Sequence, residues 1–523
     1  MEQLLAEQEF TRLVPWGGRL IRRLSDDGVV LAGIKTVGPS RWLFRVCIPI
    51  DLQESFGIAP QALVLVATGE VQGKDLQTAQ QELQKDNLDL DPDLLIVVED
   101  RLGLKERLDR LPRLWDQCVP WPVLGGELSP LEEQLRRHLP LYDVFEKRDP
   151  VRGRHFIGRQ DVISDLRKRL QRCEAIGVFG LRKVGKTSVL RAVTDRLDPL
   201  SALAASAGAQ ANGQPLARVV WIDVQSLVER SMEALVRALR REVEKRLAQE
   251  SAELLKRLPA PGSVGELDRL LAAALESSDL PLCIVLDEHD LLFEGSGGQP
   301  AIAGIETLFR VFRAWAQQTG RLALAVIGRD PQLFAESDLG GHSNPMLNWV
   351  VPFWLGPLPG AEADELLERL GRRVLLDIGP ETRELARRWT GGHPLLHRQF
   401  GSALLDVARR RMPPRGLCAT DPFHEEAVDR FLSRDAVITI CREVSHLLAS
   451  RYPSALALLE DLGRGASEEV AERIESHGGW RQPGAQTLRN FGLLLGDRRS
   501  SMVPEVFRWY LRTMLPQRKD RRA

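Results

Sequence analysis

The chain has 523 residues, 43% hydrophobic and 27% charged, with a formal net charge of −1. That length implies three or four domains. The balanced charge excludes a globally basic nucleic-acid coat and an acidic disordered chain, so any basic surface has to be local. Cys47, Cys118, Cys173, Cys283, Cys418 and Cys441 are scattered, with no C-x-x-C pair. Neither a disulfide framework nor a zinc-ligand spacing follows, and isolated thiols point to a cytoplasmic protein. The opening MEQLLAEQEF carries acids where a signal peptide carries bases. The longest apolar runs, such as 282–286 and 322–327, are strand-sized, so no membrane partner is expected.

Residues 1–118 predict an N-terminal α/β domain. The strand-like runs are VVLAGI, WLFRVCIPI, ALVLVATG and LLIVVED, and helical patterns KDLQTAQQELQ and LKERLDRLPRL follow the last two. This alternation favours a partly parallel sheet. Glu99 and Asp100 end a strand, where α/β enzymes place chemistry, but no nucleophile–base pair or metal-ligand cluster accompanies them. A nuclease core fails because IKTVG lacks a carboxylate beside its lysine. On its residues alone the domain is of unassigned family and unassigned function. VPWPVLGGELSP then breaks the pattern, and residues 119–153 read as a charged linker.

Residues 154–355 alternate strand and helix, interrupted by the Ala/Ser/Gly-rich stretch 200–215, which reads as a flexible insertion. Within them GLRKVGKT has the spacing G-x-x-x-x-G-K-T, after the strand AIGVF and before a helix with apolar Val189, Leu190, Val193 and Leu197. Glycine permits turns that aim successive N–H groups inward, and the helix N-terminus adds positive potential. Gly180, Lys183, Val184, Gly185, Lys186, Thr187 and Ser188 therefore predict a cradle for a nucleoside triphosphate. In it Lys186 reaches the β- and γ-phosphates and the Thr187 hydroxyl ligates Mg²⁺. PLCIVLDEHD supplies the acids such a site needs: Asp287 to hold Mg²⁺ from outside its direct ligands or through water, and Glu288 to polarise the attacking water. In LALAVIGRD, Arg329 stands just past a third strand, positioned to sense the γ-phosphate. Each piece also has a plainer reading: a glycine turn, acids capping a helix, a surface arginine. Their succession favours the ligand.

These motifs resemble, in order, those of STAND-type signal-transduction ATPases, relatives of the origin-recognition-like branch of AAA+ ATPases, over about 150–515. HFIGRQDVISDLRKRL resembles the motif before the ATPase core that folds over the adenine in the family. WLGPLPGAEADELL resembles the start of a helical lid and TGGHPLLHRQF the lid's G-x-P element. The resemblance makes Gly158, Arg159, Gly392, His393 and Pro394 nucleotide-site candidates, with ATP and Mg²⁺ as ligands. It implies a P-loop NTPase parallel sheet, a helical lid at 356–415 and a winged helix at 420–515. No arginine finger stands out: Arg310 and Arg313 lie on a predicted helix among many arginines.

In the C-terminal unit PSALALLEDLG, SEEVAERIES and PGAQTLRNFG predict three helices, and LLLGDRRSSMVPEVFRWYLR a strand, a basic turn and a closing helix. If this unit met DNA, Gln486, Arg489 and Asn490 would face the major groove and Arg498 and Arg499 the phosphates. The acidic second helix favours the alternative, packing on the ATPase. Three functions remain open: a slowly hydrolysing ATP switch, which leads; a DNA-associated origin-recognition-like or transposon-type ATPase; and a scaffold that binds nucleotide without turnover. The leading reading implies a protein partner through residues 1–118 and a nucleotide-dependent oligomer.

Overall fold

The computed structural model describes residues 2–83, 89–111, 117–147, 150–151, 156–200, 216–250, 264–293, 302–331, 334–339, 342–411, 417–419, 423–465, 469–496 and 502–514. Most of the expected insertion (201–215), Arg498, Arg499 and the basic C-terminal tail lie outside these residues. The chain forms two units. One combines residues 1–147, 359–392 and 396–439, and the other residues 148–358, 393–395 and 440–523.

In the first unit, the apolar runs near the N-terminus become β1 (Val30–Gly38), β2 (Arg41–Cys47), β3 (Gln61–Ala67), β4 (Leu90–Glu99) and β5 (Gln117–Pro122). They pair in the order β1-β2-β3-β4-β5, antiparallel from β1 to β3 and parallel from β3 to β5. The switch follows from the connections: helices Gly73–Leu83 and Leu104–Arg110 carry the chain back between β3, β4 and β5, as parallel pairing requires. The alternation of period two splits β3 between cores. Ala62, Val64 and Val66 join Phe44 and Trp121 on one face, and Leu63, Leu65 and Ala67 join Val71 and Leu76 on the other.

Residues 119–153, expected as a linker, begin inside this unit. Residues 119–122 complete β5, and helix Leu131–His138 puts Leu131 and Leu135 into the core with Trp121. Pro120 and Pro122 are tolerated because β5 is an edge strand, where a missing N–H breaks no ladder on the open side. The four-residue spacing of the two leucines supplies the buried helical face.

Helices Gly360–Arg373, Pro380–Thr390 and His424–Leu432 belong to the same unit, with most of helix Pro394–Arg411. Arg373 is 5% exposed at its side chain, and its guanidinium holds both carboxylate oxygens of Asp91, which is 1% exposed. Its Nε donates to Gln117 Oε1 at 2.7 Å, and Asp91 also accepts the N–H groups of Ala59, Asp93 and Leu94 at 2.9–3.1 Å. Arg398 donates to the carbonyls of Val144 and Phe145 at 2.6 and 3.1 Å. The helices expected as a lid are thus bonded to the N-terminal sheet, with the buried charges paired as burial demands.

The second unit is built on β6 (Ala175–Phe179), β7 (Arg218–Asp223), β8 (Leu282–Asp287), β9 (Leu322–Ile327) and β10 (Val350–Trp354). All pair in parallel, in the order β10-β6-β9-β8-β7. Every residue of β6, β8 and β9 is buried, as a parallel sheet covered on both faces requires. Leu282, Ile284 and Leu286 pack on one face, and Cys283 and Val285 on the other. After β10, this unit resumes with most of helix Asp435–Arg451. Helices Pro453–Arg464, Val470–Ser476, Pro483–Asn490 and Glu505–Thr513 follow, with an antiparallel bridge from Leu495 to Met502 before the last. Phe491 packs edge-on against Trp354 (5.0 Å between centroids) and Tyr452 (5.6 Å), and the Tyr452 hydroxyl donates to Asp330 Oδ1. This attaches the C-terminal helices to the ends of β9 and β10.

Candidate functional site

The carboxyl ends of β6, β8 and β9 lie together, and each carries one of the three motifs. In an open α/β sheet this end is where ligands bind. β6 stops at Phe179 and Gly180 turns the chain with φ +147°, a conformation that favours glycine. A Cβ at Gly180 would run into the Leu355 carbonyl oxygen. Lys183 (φ +61°) and Gly185 (φ +100°) bend the loop again, and helix Lys186–Thr194 starts directly after them. Arg159, itself at φ +57°, donates to the Val184 carbonyl (2.8 Å) and the Gly356 carbonyl (2.8 Å), tying the loop to the end of β10. Gly158 precedes it at φ +73°.

Lys186 is buried, and its Nζ donates to the Gly180 and Leu181 carbonyls, each at 2.9 Å. Burial lowers its pKa to about 8, opposed by the charges of Glu288, Asp290 and Asp287. Thr187 Oγ1 donates to Asp287 Oδ1 at 3.3 Å, joining motifs 100 residues apart. Burial raises the Asp287 pKa to about 6, opposed by the Thr187 hydrogen bond. Glu288 follows at φ +54° and donates its N–H to Asp287 Oδ1 at 3.0 Å. Arg329, one residue past the glycine that follows β9, stands with its Nε 3.9 Å from Asp290 Oδ2.

The structure therefore brings Lys186, Thr187, Asp287, Glu288 and Arg329 to one end of the sheet. The other candidates divide. His393 Nε2 donates to the Arg182 carbonyl at 3.0 Å, and burial lowers its pKa to about 4, so the ring is neutral at pH 7. Pro394 begins the helix that follows. Ser188 Oγ accepts the Val151 N–H at 3.1 Å and Val184 is fully buried, so both are in the framework of the loop. In the first unit Glu99 accepts the Val71 N–H at 2.8 Å and pairs with Arg107, while Asp100 accepts from Gly69 N and Trp16 Nε1, both at 3.1 Å. These bonds occupy the two acids with framework contacts. Among the described residues no group of three or more His, Cys, Asp and Glu side chains could hold a metal ion, and no helix is long and apolar enough to cross a membrane. Arg313 donates to the Pro345 carbonyl at 2.7 Å.

Sequence reasoning missed His289 and Asp290, the last two residues of DEHD. The His289 ring is fully buried, with Nδ1 2.9 Å from the Ile327 carbonyl, and Asp290 Oδ2 accepts the Arg329 N–H at 2.8 Å. The available signal was the third acid of that run, two places after Glu288.

The donor set fits a triphosphate with its metal. A loop bent at Gly180 and Gly185 lies against an ammonium, a hydroxyl and a carboxylate. No family model and no curated protein matches the chain. Several solved structures are similar to it. The Walker-type ATPase PABY2304 of Pyrococcus abyssi is 19% identical with a TM-score of 0.46, over 70% of this chain and 99% of that one. The Aeropyrum pernix ORC1 protein in complex with DNA is 19% identical with a TM-score of 0.35, over 71% and 95%. The STAND protein with a tetratricopeptide repeat sensor, PH0952, from Pyrococcus horikoshii is 15% identical with a TM-score of 0.31, over 71% of this chain and 44% of that one.

Proposed function

We propose that this chain is an ATP-binding and slowly hydrolysing switch of the STAND/AAA+ type. The observation that supports the reading best is the 3.3 Å contact of Thr187 with Asp287, the hydroxyl and carboxylate read as the metal ligands. Thr187 and Asp287 would hold Mg²⁺, which supplies positive charge to the phosphates. Lys186 holds negative charge on the β- and γ-phosphates, Glu288 orients and polarises the attacking water, and Arg329 meets the γ-phosphate. Gly158, Arg159, His393 and Pro394 border the nucleotide. In this reading residues 356–415 act as the lid and 420–515 as a winged helix. The N-terminal sheet contacts an unidentified protein partner, and assembly follows nucleotide state.

The test uses a fluorescent ATP analogue and phosphate release. Lys186→Ala is expected to lose nucleotide binding about a hundred-fold or more. Glu288→Gln is expected to retain ATP and release phosphate at least a hundred-fold more slowly. Wild-type turnover in both variants would remove the assignment. The DNA reading is disfavoured by three contacts: Arg489 lies over the Trp480 ring (5.5 Å) and reaches the Gly496 carbonyl, and Gln486 donates to the Arg481 carbonyl. The scaffold reading predicts ATP-raised melting without phosphate release from the wild type.

A further inference from the structure

The strand ends that carry the site are interlocked at one residue. Gly328 donates its N–H to the Val178 carbonyl on β6 at 3.1 Å. A Cβ at Gly328 would overlap the His289 ring and crowd Asp290 Oδ2. His289, at 0% exposure, donates from Nδ1 to the carbonyl of Ile327, and its ring packs among Phe179, Phe293 and Phe334 at 5.3–6.1 Å. Asp290 then accepts the main-chain N–H of Arg329 at 2.8 Å and faces its guanidinium from 3.9 Å. So the loop after β8 is fastened to the residues before and after Gly328, and Arg329 leaves β9 from a backbone held on both sides. A carboxylate bonded to a main-chain N–H fixes direction, because the bond tolerates little misalignment.

We propose that Asp290 is a positioning residue of the site: its carboxylate sets the main chain and guanidinium of Arg329 so that the pocket distinguishes a nucleoside triphosphate from a diphosphate. The proposal rests on the reading of the site as an ATP site. Arg329 can favour the terminal phosphate only if its long side chain is presented from a fixed origin, and otherwise its rotamer freedom dilutes the contact. Asp290 does not touch the ligand in this scheme. It acts through Arg329.

The experiment measures dissociation constants of fluorescent ATP and ADP analogues for the full chain and for variants shown by circular dichroism to be folded. Arg329→Ala is expected to cut the ATP-over-ADP preference about ten-fold, and Asp290→Ala by a similar factor with ADP affinity within about two-fold of wild type. The double variant is expected to lose no more than Arg329→Ala alone, because both changes remove one interaction. Asp290→Asn keeps an acceptor oxygen for the Arg329 N–H and is expected to recover most of the preference. If the alanine variant does not fold, Asp290→Ser takes its place in the same cycle. Additive losses, or equal weakening of ATP and ADP by Asp290→Ala, would overturn the proposal. Failure of the ATP reading looks different: the wild type would bind neither analogue, or Lys186→Ala would bind both normally.

Discussion

At the scale of single residues, the site depends on two close approaches that leave no room for a side chain. Gly180 and Gly328 both sit where a Cβ would collide with fixed neighbours, the first with a main-chain oxygen and the second with a buried ring. Gly328→Ala is expected to push the His289 ring out of its aromatic pocket and to lower stability by about 1–3 kcal/mol, read by chemical denaturation. Nucleotide affinity should fall with it, since the acids lie on the displaced loop. The candidate site was largely legible at this scale. The phosphate loop is contiguous, and its glycines, lysine and threonine announce their chemistry by spacing alone. Asp290 was not legible, because its partner lies 39 residues away and the bond is to a main-chain N–H, which every residue but proline offers.

Between elements, His397 joins three helices. Its Nε2–H donates to the Ala363 carbonyl at 3.0 Å, and its Nδ1 lies 2.8 Å from the Thr390 hydroxyl oxygen. Burial lowers the pKa of this ring to about 4, with the charge of Arg387 acting in the same direction. The unfolded chain therefore binds a proton near pH 6.5 that the folded one refuses until about pH 4. Stability falls as pH drops through that window. The loss assigned to this ring is about 3 kcal/mol. His397→Gln is expected to give a flatter dependence of denaturation midpoint on pH between 6.5 and 4, and an unchanged slope would refute the assignment. Elements were legible where one period ruled: the strand runs near the N-terminus and the helical patterns after residue 359 reappear in the structure. The prolines of 119–122 hid β5, because a proline signals a break unless the strand is known to be an edge, and edge position is a property of the sheet.

For the molecule as a whole, chain order and packing order diverge. Residues 359–392 and 396–439 follow β10 in sequence yet belong with residues 1–147. Arg373 and Asp91, 282 positions apart, meet as a buried ion pair. No local pattern encodes that partnership, since an arginine at the end of a helix is ordinarily a solvated one. Arg373→Ala would leave Asp91 charged and enclosed, and the expected cost is about 3–5 kcal/mol, read as a shifted denaturation midpoint for the first unit. The same pairing bears on how this gene can be cut. A fragment ending at residue 147 would carry the N-terminal sheet without the arginine that neutralises Asp91 and without the helices that cover it. Expressed by itself it is expected to aggregate or to be digested by protease, and supplying residues 359–439 on a second polypeptide should restore a soluble, protease-resistant pair.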